Sequence, residues 1–225
     1  MADNRKEQER DELHRTIWGI ANDLRGSVDG WDFKQYVLGM LFYRYISENF
    51  ANYINDGERE AGDATFDYAQ LSDSDAEQAR DDLIKTKGFF ILPSQLFCSV
   101  RSRAPLDENL NETLEAVFQA IEDSAKGSDS EANFSGLFDD IDVNSNKPGG
   151  TVAERNKRLV KLMNGVGDMK LGDYRDNTID AYGDAYEYLM GMYASNAGKS
   201  GGEFFTPQEV SELLTRLAVV GKTEV

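Results

Sequence analysis

The sequence predicts a mainly α protein, and three observations carry that expectation. Apolar residues recur at spacings of three and four through most of the 225 positions. Helix-start signals, a Ser, Thr or Asp with acids in the turn that follows, stand before several of these runs. Only residues 89–92 form a short continuous apolar run that reads as extended backbone. Hydrophobic residues make up 40% of the chain and charged residues 29%, which is ordinary for a folded protein with a sizeable core.

Taken in order, residues 6–25 place Leu13, Ile17, Ile20 and Leu24 on one stripe of a charged helix that Gly26 ends. His14, the sole histidine, lies beside that stripe with no second ligand in register, so it is assigned a boundary position and no chemistry. Asp29 can cap a second helix whose broad face carries Phe33, Val37, Met40, Leu41, Tyr45 and Ile46, widened by Leu38, Phe42 and Phe50. Such breadth implies a central helix, with Phe42, Tyr43 and Tyr45 as packing residues. Between 52 and 73 the pattern loosens into an exposed connection. Ser72 caps a short helix to about Lys87, the run 89–92 ends at Pro93, and Ser94 starts a helix through Val100. Residues 108–125 form an amphipathic helix with Leu110, Leu114, Val117, Phe118 and Ile121 inward. Phe134, Leu137, Phe138 and Ile141 pin an acidic loop or single turn to the core. After the break at 148–151, Thr151 and Glu154 make a capping box for a helix holding Val152, Leu159, Leu162 and Met163. Residues 165–176, GVGDMKLGDYRD, match neither GxGxxG nor the phosphate loop and read as a linker. From Thr178, Ile179, Tyr182, Tyr186, Leu189, Met190 and Tyr193 share one helical face, which suits packing on the helical domain or docking of a further domain.

The last stretch is the most informative. Gly198, Gly201 and Gly202 allow a sharp bend, Phe204 and Phe205 follow, and Thr206, Pro207 and Glu209 give cap, first helical position and capping box. Val210, Leu213, Leu214 and Leu217 then recur at helical spacing. A zwitterion or cation with an aromatic ring suits this end better than a bare phosphate, because Pro207 offers no N–H and Glu203 and Glu209 add negative charge. The same residues fit a surface turn with two core phenylalanines.

The segment AYGDAYEYLMGMYASNAGKSGGEFFTPQEVSELLTRL, residues 181–217, resembles the start of the catalytic domain in the modification subunit of type I restriction-modification systems. WDFKQYVLGMLFYRYISENF, residues 31–50, is similar to that family's helical N-terminal domain. The resemblance implies methyl transfer from S-adenosylmethionine to adenine N6 in duplex DNA. It implies cofactor contacts at Glu203, Phe204, Phe205, Thr206, Pro207 and Gln208, in the GEFFTPQ block. The expected layout is a helical N-terminal domain over 1–170, then 171–225 as linker and first helices of a Rossmann-like methyltransferase domain truncated before its cofactor-binding sheet. With four isolated prolines the chain has no NPPF or DPPY block, so no catalytic residue is assigned and these 225 residues are expected to be inactive alone. The implied partners are a specificity subunit, a second modification subunit, restriction subunits and, through the complex, duplex DNA.

Charge and cysteine usage set further bounds. With 24 Lys+Arg against 41 Asp+Glu, a net charge of -17 opposes nonspecific DNA binding by this piece alone. It also keeps open a second reading, an acidic helical interaction protein that mimics DNA charge. Cys98 cannot form an internal disulfide, which suits a reducing cytoplasm, and its apolar neighbours predict a buried thiol. No stretch approaches a membrane span, and no metal-ligand spacing is present.

Overall fold

Helical periodicity becomes structure throughout the described chain. The computed structural model describes residues 2–23, 30–170, 181–194, 206 and 208–220, and among these there is no β-strand. Helices α1 (Ala2–Asp23) and α2 (Gly30–Glu60) are followed by α3 (Asp73–Ala76), α4 (Arg80–Lys87), α5 (Phe97–Arg103), α6 (Leu110–Ser124) and α7 (Glu131–Phe134). Then come α8 (Val152–Asp168), α9 (Ala181–Ala194) and α10 (Gln208–Val219). The expected mainly α class is the observed one.

The first stripe packs as the spacing requires: Leu13, Ile17 and Ile20 are buried, and α1 lies against α8 and α9. Gly165 makes the α1–α8 crossing close, since a Cβ there would sit 2.6 Å from Ile20 Cγ1. Leu24, Gly26 and Asp29, and the side chain of Phe33, lie outside the described residues.

Helix α2 is the central element, contacting α5, α8 and α9, and burying Val37, Met40, Leu41, Tyr43, Ile46 and Phe50. Aromatic rings converge on it. Tyr43 meets Phe97 and Phe118 edge-on, and Phe50 meets Tyr68, Phe89 and Phe90 at centroid distances of 5.7, 5.3 and 5.9 Å. The buried hydroxyls find acceptors: Tyr43 donates to Gln95 O at 2.5 Å and Tyr68 to Ile91 O at 2.8 Å. Burial pushes both phenols well above the usual tyrosine range, so both stay neutral donors.

Several expectations are corrected. Helix α2 does not end near Asn52: its last turns run to Glu60, because Ile54 packs on the core and the buried Asn55 accepts the Tyr68 N–H at 2.7 Å. Tyr45 is exposed, lying off the stripe that carries Met40, Tyr43 and Ile46. The helix expected over 72–87 is split into α3, a 3₁₀ turn and α4. Ser72 Oγ caps α3 by accepting the Asp75 N–H, but Asp73 is turned to the Ser94 N–H and hydroxyl. Residues 93–95 form a 3₁₀ turn, so α5 starts at Phe97 rather than at Ser94. Cys98 is exposed because the short α5 turns Phe97 and Val100 inward, leaving the thiol on the other side.

Helices α8 and α9 also depart from the expected layout. Thr151 Oγ1 accepts the Glu154 N–H as expected, but α8 continues through Gly165 and Gly167 to Asp168, where a linker was expected. Those glycines serve close packing: α1 crosses at Gly165, and the Arg101 guanidinium lies over Gly167. Residues 171–176 of that segment, and Thr178 and Ile179, lie outside the described residues, as do the side chains of Tyr182 and Tyr193. Leu189 and Met190 are buried, but Tyr186 is half exposed. Burial of Phe138 and Ile141, with Phe134 and Leu137 packed beside them, fulfils the expected pinning of the acidic loop.

Candidate functional site

Of the six cofactor contacts expected in the GEFFTPQ block, Thr206 is described and exposed, and Gln208 opens α10. Glu203, Phe204, Phe205 and Pro207 lie outside the described residues, as do Gly198, Gly201, Gly202 and the side chains of Gln208 and Glu209. The helix begins two residues after Thr206, where the cap signal places it to within one position. Its apolar face is solvent-facing: Val210, Leu213, Leu214 and Leu217 are all exposed, Leu217 at 61%. An ion pair between Arg216 and Glu212 and a Thr215 Oγ1 bond to Ser211 O at 2.9 Å are local to the helix. Among the described residues, no group of His, Cys, Asp and Glu has the arrangement of a metal site.

The step before the block is better fixed. Helix α9 packs on both α1 and α2, with Ala185 and Leu189 fully buried, which is the first of the two roles its face allows. Polar groups join it to the bundle. Arg10 Nε stands 2.9 Å from Asp184 Oδ1, the His14 and Tyr188 rings stack at 4.0 Å, and Lys34 Nζ donates to Met190 Sδ at 3.0 Å. Sequence reading singled out neither Arg10, Lys34 nor Asp184, because each pairs across more than 150 residues. The one available signal was an acid and a lysine inside otherwise apolar faces.

His14 therefore has a structural task. Burial holds its imidazole below the usual value, against the opposing pull of Asp184 and Asp11 and with a smaller push from Arg10. The folded state thus binds fewer protons at this site than the unfolded chain near the ordinary value of about 6.5. Its contribution is present above that value and is lost as pH falls through it toward the folded one. His14→Phe keeps a ring against Tyr188 and removes the titration. Melting temperature measured from about pH 7.5 to about pH 5.5 should fall less steeply in the variant than in the parent chain. Parallel slopes would show that the stack carries no proton linkage.

Comparison with known proteins supplies what the geometry alone does not. Residues 13–166 match the HsdM N-terminal domain family and residues 177–225 match the N-6 DNA Methylase family. The type I restriction enzyme MpnII methylase subunit of Mycoplasma pneumoniae is 46% identical over 99% of this chain and 42% of its own length. The MjaIX methylase subunit of Methanocaldococcus jannaschii is 21% identical over 90% of this chain and 34% of its own. A solved type I restriction-modification methyltransferase subunit from Streptococcus thermophilus superposes with a TM-score of 0.74 at 28% identity, over 95% of this chain and 44% of that one. The chain thus spans less than half the length of the relatives it matches. No helix among the described residues is long and apolar enough to cross a membrane.

Proposed function

The chain belongs to the HsdM N-terminal domain family of type I restriction-modification methylase subunits, and on that premise we propose that it serves adenine-N6 methylation of duplex DNA. The observation that carries the reading is the order of the two family matches, a helical domain followed by a methylase segment holding GEFFTPQ. In this reading residues 1–170 are a helical scaffold and 171–225 begin the methyltransferase domain. S-adenosylmethionine supplies the methyl group. Glu203, Phe204, Phe205, Thr206, Pro207 and Gln208 hold it, the two rings giving aromatic faces to a cationic ligand. Thr206, two residues before α10, is exposed, and the exposed leucine face of α10 suits burial against the rest of such a domain. The proposed setting is cytoplasmic, in a complex with a specificity subunit, a second modification subunit and restriction subunits. Match to a methylase family disfavours a simple mimic of DNA charge.

The test is calorimetric titration of S-adenosylmethionine into the 225-residue chain and into a chimera in which these residues replace the matching part of the Mycoplasma pneumoniae subunit. The chimera should bind, and Phe205→Ala within it should weaken binding about tenfold or more, a loss of about 1.4 kcal/mol. The 225 residues alone should not bind. Unchanged affinity in the variant would remove Phe205 from the site, and no binding by a chimera with native-like circular dichroism would sink the reading.

A further inference from the structure

Charge is distributed unevenly over this acidic chain. Residues 56–82 hold ten acids against two bases. In contrast, residues 147–170 hold six bases against two acids, and residues 93–106 hold two bases and no acid. These last two segments are neighbours, since α5 packs on α8. Their alignment is fixed at both ends: Arg101 Nε donates to Asn164 Oδ1 at 3.2 Å, and Asn156 Nδ2 donates to Glu108 O at 2.6 Å. Residues 101–108 therefore run antiparallel to α8, which brings Arg103 alongside the turn that carries Lys157 and Lys161.

Most cations of this ridge have internal work. Arg155 donates to Asn144 O and Arg158 to Pro148 O, tying down the loop before α8. Arg101 pairs with Asp168, and Lys170 pairs with Glu12 at 2.9 Å. Lys157 and Lys161 are exposed and one helical turn apart, about 6 Å along the axis. With Arg103 they make no ion pair among the described residues. Two exposed lysines and the half-buried Arg103 thus stand along the α5–α8 crossing of a chain whose net charge of -17 opposes polyanions overall.

We propose that the α5–α8 ridge of Arg103, Lys157 and Lys161 is the face on which this chain meets the phosphate backbone of duplex DNA. The proposal rests on the DNA-modifying reading above and adds to it the surface that approaches the duplex. A lysine-led ridge fits a phosphate track better than a protein interface, because interface cores are depleted in lysine and enriched in arginine and aromatic residues.

The experiment is fluorescence anisotropy of a labelled duplex of about 24 base pairs titrated with the 225-residue chain, from about 20 to about 150 mM salt and without cofactor. Weak binding at the lowest salt is expected, with a salt slope that drops by about two in Lys157→Gln/Lys161→Gln. Lys85→Gln/Lys126→Gln, with the same change of net charge elsewhere, should leave the slope unchanged. Absence of binding at the lowest salt, or equal effects of the two variants, would overturn the assignment. Tighter binding to polyglutamate than to the duplex would also overturn it, in favour of an acidic protein partner. The cofactor titration contains no DNA and this one contains no cofactor, so either proposal can fail alone.

Discussion

Replacing Phe50 with alanine is expected to lower the free energy of unfolding by about 3–5 kcal/mol, the usual cost of truncating a fully buried aromatic ring. Phe50 is 0% exposed and contacts three rings contributed by two separate segments, Tyr68 on one side and Phe89 and Phe90 on the other. Neither segment is a long helix able to follow a collapsing side chain. Phe90 N–H is held by Ser124 Oγ at 2.9 Å and Tyr68 N–H by Asn55 at 2.7 Å, so the void cannot close cheaply. For a domain of this size the loss corresponds to a drop of roughly 6–20 °C in melting temperature. Urea unfolding would measure it directly, and a loss below about 1 kcal/mol would mean that these rings repack freely.

Arg44→Met should cost about 2–3 kcal/mol, by a different mechanism. A helix leaves its last carbonyls without intrahelical partners, and α8 has no basic residue in its own last turn. Arg44, on α2, supplies the missing donors: Nη1 donates to Val166 O at 2.7 Å and to Met169 O at 2.8 Å. The guanidinium also brings positive charge to the negative end of the helix dipole. Its bond to Glu48 at 2.6 Å steadies the side chain but adds little, because Glu48 is largely exposed. Methionine keeps the hydrocarbon packing and removes the donors, so the comparison isolates the cap. Faster amide exchange confined to the last turn of α8 would accompany the loss. Unchanged exchange there would show that the two bonds contribute nothing.

How far these features are legible in sequence depends on whether their cause is local. The α1 stripe, the inward face of α6 and the Thr151 cap could be read because periodicity and capping act within a turn or two. The Arg44 cap could not, since it joins residues 122 positions apart. Gly165 misled for a related reason: a glycine between charged and apolar residues reads as a break until the crossing of α1 explains it. The end of α2 is not legible because its last turns are largely polar, and what keeps them helical is the packing of Ile54 and the Asn55 bond to Tyr68. At the candidate site the motif supplies the proposed residues and their order in the chain. Which surfaces α10 meets is set by tertiary contacts that a local motif does not encode.

The position of Cys98 has a practical consequence. It is the sole cysteine of the chain and its side chain is exposed on α5, three residues before Arg101 and five before Arg103 on the same helix. A maleimide dye will therefore attach to the unaltered protein at a single defined point, on the helix that carries Arg101 and Arg103. Energy transfer from that point to a dye at either end of a duplex turns the native thiol into a ruler for the polarity of docking.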